Sequence, residues 1–507
     1  MKHQILLSLV GIFLLSSSTF AIEETKKNAQ PMGQEATLNG ASLTSGAVVT
    51  SSSEKEVAKI DLPHSSPELD NGPYWIRNWE LNQFKGVSIK SITGFDSNLL
   101  MTFSGADFSY LNQQKATSFK SVGEGQFEWS YSDANIDYKR TYQVEGETLL
   151  VTVTAHFKKN SPAKAYLNIV SHGMKSDPEA RDREIFYFTD NKIERKNVDK
   201  GIEATEIITP VKWVGAGSRY FIFTVMPEDQ TPEKVLIQNT GEFSAQASLE
   251  FPVVNNAYSG KFKVIFAPKQ LDYLRSIDKT LDTTLNLGFF AIVAYPILWA
   301  LKGIHGLAPA MGFGVAIIIL TLIIKLLTFP LVVKSMKGMR RMAEFQPKMK
   351  ALQEKHKDNK AALNQEMMVL MKSSGYNPMA GCLPMIVQMP IFFALYSVLY
   401  AAVELYREPF LFLHDLSAKD PYYITPILMA LIMFLQQRVT PPAPGMDPSQ
   451  RKIMMFMPLI FGAFMISTPS GLCLYMIVNA TFSILQQQYL NKKMGIPGQA
   501  SLVGSPF

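Results

Sequence analysis

Hydrophobic and polar positions divide the chain near residue 283. Upstream, LLVTVTAHF (149–157) and GKFKVIFAP (260–268) alternate apolar and polar residues, and RYFIFTVM (219–226) is β-branched and aromatic, with Gly, Asn, Asp and Pro between such runs. A period of two bounded by turn residues marks strands. It predicts a large antiparallel sandwich over residues 60–283, with the GAG at 215–217 as a structural turn between strands. Residues 22–59, which include ASLTSGAVVTSSSEKE, are polar and Ser/Thr-rich, the composition of a flexible linker. Residues 1–21 set the apolar run Ile5–Leu15 behind Lys2 and His3, as in a signal peptide or an uncleaved transmembrane anchor. Either one exports the sandwich.

Downstream the apolar runs lengthen. Residues 284–306 contain an apolar stretch that is short for a crossing and carries Pro296, so they predict an amphipathic helix at a membrane surface, with Trp299, Lys302 and His305 suited to that surface. Five membrane-crossing helices are expected, at 312–333, 382–403, 422–437, 453–468 and 472–490. Between them lie a helical hairpin (334–376, its first arm punctuated by Pro347), an outer loop (404–421) and an inner loop (438–452), and a tail (491–507) ends the chain. Pro469-Ser470-Gly471 makes the tight outer turn between the last two. The predicted fold class is a polytopic α-helical membrane protein with a mainly β domain outside the cytoplasm.

Charge fixes the orientation. The net charge of +6 is modest, but Arg340, Arg341, Lys348, Lys350, Lys355 and Lys357 crowd the hairpin. Basic loops stay cytoplasmic, which requires 312–333 to enter from outside and 284–306 not to cross. The basic surface suits anionic lipid or nucleic acid. Averages of 47% apolar and 18% charged residues conceal the division into two halves. The two cysteines, Cys382 and Cys473, sit in apolar segments and read as buried thiols; no metal-ligand or cofactor spacing accompanies them.

Candidate chemistry lies inside the apolar half. IIILTLIIKLLTFPLVV (317–333) carries Lys325 near its middle with no acid in the segment, and Thr321 and Thr328 share its helical face. An ammonium at mid-membrane costs roughly 2.5–3.5 kcal/mol on insertion scales. On the last helix Tyr475, Asn479, Ser483 and Gln487 recur every four residues; on the second, Gln388, Tyr396, Tyr400 and Glu404 share a face. Lipid cannot satisfy such groups, so the three faces are expected to enclose a hydrated cavity around Lys325. Snorkelling of Lys325 toward the headgroups is the competing reading.

Longer motifs carry a resemblance. QPKMKALQEKHKD (346–358), NQEMMVLMK (364–372), NPMAGCLPMIVQMPIFFALYSVL (377–399), LHDLSAKDPYYITPILM (413–429) and PSGLCLYMIVNATFSILQQQ (469–488) resemble the YidC-type membrane protein insertases, relatives of the Oxa and Alb families. The resemblance implies a Gram-negative inner-membrane protein with a periplasmic β-supersandwich. It further implies insertion and folding of newly made membrane proteins, alone or beside the Sec translocon, with the ribosome and membrane lipids as further partners. It implies no cofactor and no enzymatic step. In the family a positive residue on the first core helix lies in a hydrophilic groove; Lys325 holds that position where Arg is usual, keeping charge but losing the planar fork. Tyr475-Met476 stands where two aromatics are common. The alternative, a small-solute transporter or channel with a periplasmic sensing domain, fits poorly with a lone Lys and no intramembrane acid.

Overall fold

The computed structural model describes residues 48–494, apart from 53–54, 85, 89–98, 173–182, 199, 209, 242–243, 440–447 and most of 357–382. The segments expected as anchor or signal (1–21) and tail (495–507 of 491–507) therefore lie outside the described residues, as does Cys382.

The upstream half forms three antiparallel sheets. The largest has nine strands, running edge to edge through Lys192–Asn197, Glu184–Thr189, Val211–Gly217, Phe221–Pro227, Ala257–Pro268, Thr148–Phe157, Ile136–Glu145, Gln126–Ser132 and Ser118–Gly123. A five-stranded sheet is ordered Thr205–Ile207, Lys234–Gly241, Ser244–Pro252, Lys164–His172, Leu99–Phe103. Alternation decides which face is buried. In Ile136–Glu145, Ile136, Tyr138, Arg140 and Tyr142 point inward and their neighbours outward. Arg140 is fully buried: its guanidinium lies 3.8 Å from the Trp129 ring centroid and donates to the Pro73 and Gly72 carbonyls at 2.8 and 2.9 Å, while its Nε has no partner among the described residues. Asp190 and Asn191 take positive φ in the two-residue hairpin turn before Lys192, as such turns require.

Two expectations fail in this half. Residues 22–59 do not form a linker throughout: Val48–Ser52 and Lys55–Lys59 pair with each other and continue into a four-stranded sheet with Ser65–Asp70 and Asn78–Leu81. The β-branched Val48, Val49 and Val57, with the fully buried Ala58, outweigh the polar composition around them. The GAG at 215–217 is not a turn but the end of a buried strand. A Cβ on Gly215 would come 2.6 Å from both the Phe186 ring and the Phe223 carbonyl, so glycine there makes room for an aromatic ring on the pleat.

Helix α1 (Leu271–Ile277) and the 3₁₀ turn Lys279–Thr284 pack Leu274 and Leu281 against Phe186, Phe188 and Trp213 on the large sheet. Lys212 Nζ reaches the Asp278 carboxylate at 2.8 Å, Trp213 Nε1 donates to Thr280 Oγ1 at 2.8 Å, and Arg195 donates to the Thr283 and Thr284 carbonyls at 2.7 and 3.0 Å.

The helical half comprises α2 (Ala291–Leu307), α3 (Gly312–Lys355), α4 (Leu383–Ala401), α5 (Ile424–Val439), α6 (Pro448–Phe464) and α7 (Ser470–Met494). The crossing expected at 312–333 and the first hairpin arm are one 44-residue helix, roughly 66 Å long at 1.5 Å per residue. Pro330 and Pro347 do not end it, because each removes one backbone bond while the adjoining turns persist. Helix α6 begins within the expected inner loop, and α2 runs through Pro296. Among the described residues, Pro309–Lys337 is the one stretch of helix long and apolar enough to cross a membrane by length and composition; Ala291–Leu307, Ile386–Ala401, Ile424–Val439 and Ile453–Ser467 are shorter apolar helices. A second buried core joins α2, α3, α4 and α7 through Leu298, Leu301, Ile317, Leu395, Leu399 and Leu472.

The halves meet through aromatics. After α4, Val403 and Tyr406 enter the β-domain core, the Tyr406 ring lying 5.2 to 5.9 Å from Phe221, Tyr220 and Phe84. Removing a buried aromatic costs about 3–5 kcal/mol. Tyr406→Ala is therefore expected to lower the first thermal transition of the purified protein, monitored by tryptophan fluorescence, by several degrees. An unchanged transition would mean that Tyr406 does not hold this junction.

Asp278 makes stability depend on pH. Burial pushes its carboxyl up, but the bonds from Lys212 and Thr280 outweigh burial and hold the group below the usual carboxylate range. Its stabilisation is then present above the unfolded value of about 3.9 and lost as pH falls through the lower folded value. Asp278→Asn should flatten the acid limb of a melting-temperature profile below about pH 5. An acid limb as steep as the parent's would mean that Asp278 contributes nothing to it.

Candidate functional site

Three polar faces were expected to meet at Lys325; among the described bonds α3 and α7 meet there, while α4 meets α7 at Tyr475 instead. Lys325 Nζ donates to Ser483 Oγ at 2.6 Å across the α3–α7 contact, and Ser483 Oγ donates onward to the Asn479 carbonyl at 2.8 Å. Gln388 Nε2 donates to Tyr475 Oη at 3.0 Å, linking α4 to α7. Helix α7 is thus the common member: its i, i+4 row faces α4 at Tyr475 and α3 at Ser483. Lower on the same row Gln487 approaches Met336 Sδ at 3.3 Å and Asn491 Oδ1 at 3.2 Å.

The threonines behave differently. Thr321 Oγ1 donates to the Ile317 carbonyl at 2.7 Å and Thr328 Oγ1 to the Ile324 carbonyl at 2.8 Å, so each bonds back to its own helix. They share the face of Lys325 without touching its ammonium through any described bond. Thr321 is buried, while Lys325 and Thr328 are half-buried.

Tyr396 and Tyr400 lie elsewhere. They stack on each other with centroids 5.7 Å apart, and Tyr400 lies 3.7 Å beneath the Arg219 guanidinium, which also donates to its hydroxyl. Tyr400 is twelve residues beyond Gln388, roughly 18 Å along the helix, so it belongs to the β-domain junction rather than to the Lys325 face. Glu404 has left α4 for the 3₁₀ turn Val403–Leu405 and faces Lys302 at 3.7 Å. Lys302 also pairs with Asp272, and His305 stacks on Phe313 at 3.8 Å, so these two side chains of α2 contact protein, while Trp299 is exposed.

Of the basic hairpin, Arg340, Arg341, Lys348 and Lys350 ride on the helical backbone of α3 with side chains outside the described set, and Lys357 lies outside the described residues. Lys355 is 3.4 Å from Glu366, which His356 also approaches at 3.0 Å.

Electrostatically the centre is asymmetric. An ammonium has three donors. Among the described residues one is spent, on a neutral hydroxyl, and no carboxylate lies within ion-pair distance. What remains is a point charge able to hold water or an arriving carboxylate. Beside it Ile323, Leu326 and Leu327 are exposed, as are Ile386 and Met389 on α4 and Met454, Phe456, Met457 and Ile460 on α6. Exposed apolar side chains on this scale suit contact with lipid or with another apolar helix.

Sequence reasoning missed Arg219, because a strand-turn arginine has no local mark tying it to a helix nearly two hundred residues away. It also missed the helix-capping roles of Glu408 and Asp420. For Asp420 a signal existed, since an acid shortly before an apolar helical run is a cap signature.

A family described as 60Kd inner membrane protein matches residues 304–496, and the YidC periplasmic domain family matches residues 100–300. The membrane protein insertase YidC of Geobacter sulfurreducens is 40% identical over 287 residues, 56% of this chain and 53% of that protein. That of Geotalea uraniireducens is 35% identical over 377 residues, 72% of this chain and 71% of that protein. The chain spans a little over half the length, 53% to 58%, of the first relatives it matches. A crystal structure of an active YidC insertase with its first transmembrane domain resolved aligns over 87% of this chain and 94% of that one, at 17% identity and a TM-score of 0.37. With both halves matched in order and a relative aligned over most of its length, the chain belongs to the YidC insertase family and is an inner-membrane protein with a periplasmic β domain.

Proposed function

We propose that this chain inserts and folds integral membrane proteins, alone or with the Sec translocon, through a hydrophilic groove centred on Lys325. The observation that carries the reading is the pairing of Lys325 with nothing more than Ser483 among the described residues, beside exposed apolar side chains. A cation that had only to be buried would be neutralised by an acid. One left with free donors keeps water beside it and attracts acidic residues in an incoming segment's translocated tail.

The physical work is to lower the cost of moving polar chain partway across a bilayer. The apolar part of the substrate then slides along the Met- and aromatic-rich faces of α4 and α6 into lipid. No bond is made or broken, so the activity is not enzymatic. Crossing is assigned to α3, α4, α5, α6 and α7. Helix α5 has 16 residues, roughly 24 Å, against a hydrocarbon core of about 30 Å. Such short helices favour a locally thinned bilayer, which shortens the polar path. The basic hairpin is assigned to meet the substrate, the ribosome or anionic lipid on the cytoplasmic side.

Insertion of a small acidic-tailed phage coat-type protein into vesicles holding the full chain tests this. Lys325→Ala and Lys325→Glu are expected to lower insertion by roughly tenfold or more, about 1.4 kcal/mol, while Lys325→Arg stays near wild type. Ser483→Ala removes one hydrogen bond worth about 1 kcal/mol but leaves the charge, so insertion should fall by no more than about fivefold. Equal insertion by all Lys325 variants would reduce Lys325 to a snorkelling bystander.

A further inference from the structure

Helices α3, α5 and α7 all start on the same side of the core, and each start leaves N–H groups without intrahelical partners. One loop answers all three. Glu408 Oε1 accepts from the Phe313 N–H at the start of α3, at 3.2 Å. Asp420 accepts from the Tyr422 and Thr425 N–H groups at 2.9 and 2.7 Å, and from Thr425 Oγ1 at 2.9 Å, at the start of α5. The Ala418 and Leu416 carbonyls accept from the Ser470 and Gly471 N–H groups at 2.7 and 2.9 Å, at the start of α7.

The loop is braced internally. Asp415 Oδ1 accepts from Arg407 N–H, Ser417 N–H and Ser417 Oγ, while the Asp415 carbonyl accepts from Ser470 Oγ at 2.8 Å. Phe410 and Leu413 exchange backbone bonds in a narrow hairpin whose Phe410 ring rests on Gly314, in the first turn of α3. A Cβ at residue 314 would sit 2.1 Å from that ring, so the fit exists only with glycine. Gly471 is less crowded but still tight: its Cβ would meet the Leu416 carbonyl at 3.0 Å. Beneath the loop Phe313, Leu413, Leu416, Met465, Leu472 and Cys473 are buried in one cluster.

We propose that residues 408–420 form a clasp that, by capping α3 and α7 together, positions Lys325 opposite Ser483. The inference rests on the insertase reading for its purpose, though not for its geometry. Negative groups at helix starts are favoured by the helix dipole, and three aligned starts held by one segment cannot shift independently. Glu408, Phe410, Gly314 and Asp420 are positioning residues: they touch no substrate and act by keeping α3 and α7 in register.

Cys473, buried beneath the clasp and hydrogen-bonded near Thr468 and Met465, reports directly whether the clasp stays seated. In the full chain carrying Cys382→Ser, reconstituted with the β domain facing the medium, Cys473 should resist a membrane-impermeant maleimide. Gly314→Ala and Glu408→Leu should each raise the labelling rate by about tenfold or more through local opening, while Glu408→Gln, which keeps an acceptor oxygen for Phe313, stays near the parent rate. Should Gly314→Ala not fold, the Glu408 pair decides alone. Parent-rate labelling in folded Glu408→Leu overturns the clasp, as does equal labelling of the Leu and Gln variants. Insertion by the parent protein is measured in the same vesicles. If it inserts but labelling ignores the clasp variants, the clasp falls alone. If labelling shows the expected pattern but the parent inserts nothing, the insertase reading falls and the clasp stands.

Discussion

Hydrocarbon offers no hydrogen bonds, so a membrane protein has to satisfy its own polar groups or open a path for water to them. Most of the helical half takes the first course. Thr321 and Thr328 return their hydroxyls to their own backbone, Gln388 finds Tyr475, and the starts of α3, α5 and α7 are supplied by a single loop. Lys325 stands apart, with one neutral partner among the described residues. Gln486 Nε2 on α7 is also buried, without a partner among the described residues, so what distinguishes Lys325 is its charge.

The β domain is tied to this core by more than a chain connection. Tyr406 is inserted into the β-domain core, Arg219 covers Tyr400, and Lys302 bridges Asp272 on α1 to Glu404 at the end of α4. The ties share one stretch of chain, since Tyr400, Glu404 and Tyr406 directly precede the clasp. Movement of the β domain would therefore pull first on the segment that caps the helix starts. A sandwich docked in this way suits a brace for the outer end of the core better than a freely hinged receptor.

Legibility in the sequence tracked the range of the interactions. Strands of period two, the apolar helices and the polar rows of α3 and α7 are local or periodic, and each could be read. Spacing puts Ser483 on a polar row of the last helix, and the structure brings it to Lys325. Tyr400 lies twelve residues beyond Gln388, which at 3.6 residues per turn is roughly 120° around the helix as well as a different depth, because a spacing of four drifts off a face when it is repeated. Thr321 and Thr328 lay on the expected face, yet a threonine in a helix can bond to its own i−4 carbonyl, and spacing cannot tell that from a contact across helices. The glycines at 215–217 look like a turn in sequence because nothing local announces the Phe186 ring that requires them. The continuity of α3 through Pro330 and Pro347 was hidden for a related reason: proline states a local cost, and the surrounding turns decide whether it ends the helix.

On the resemblance noted in the sequence, Lys325 stands where arginine is expected, and that difference has a physical reading. A guanidinium would present a planar fork suited to two-point binding of a carboxylate. The ammonium of Lys325 presents a compact charge with rotatable donors, one held by Ser483, whose own proton goes to the Asn479 carbonyl. That relay orients the serine oxygen toward the lysine without neutralising it. On the proposed mechanism the substrate's acidic groups must be attracted and then released, so tight bidentate capture would slow departure. A single-point charge held in place by a hydroxyl meets both demands, provided α3 and α7 keep their register. The requirement thus passes from the chemistry of one side chain to the shared capping of two helices.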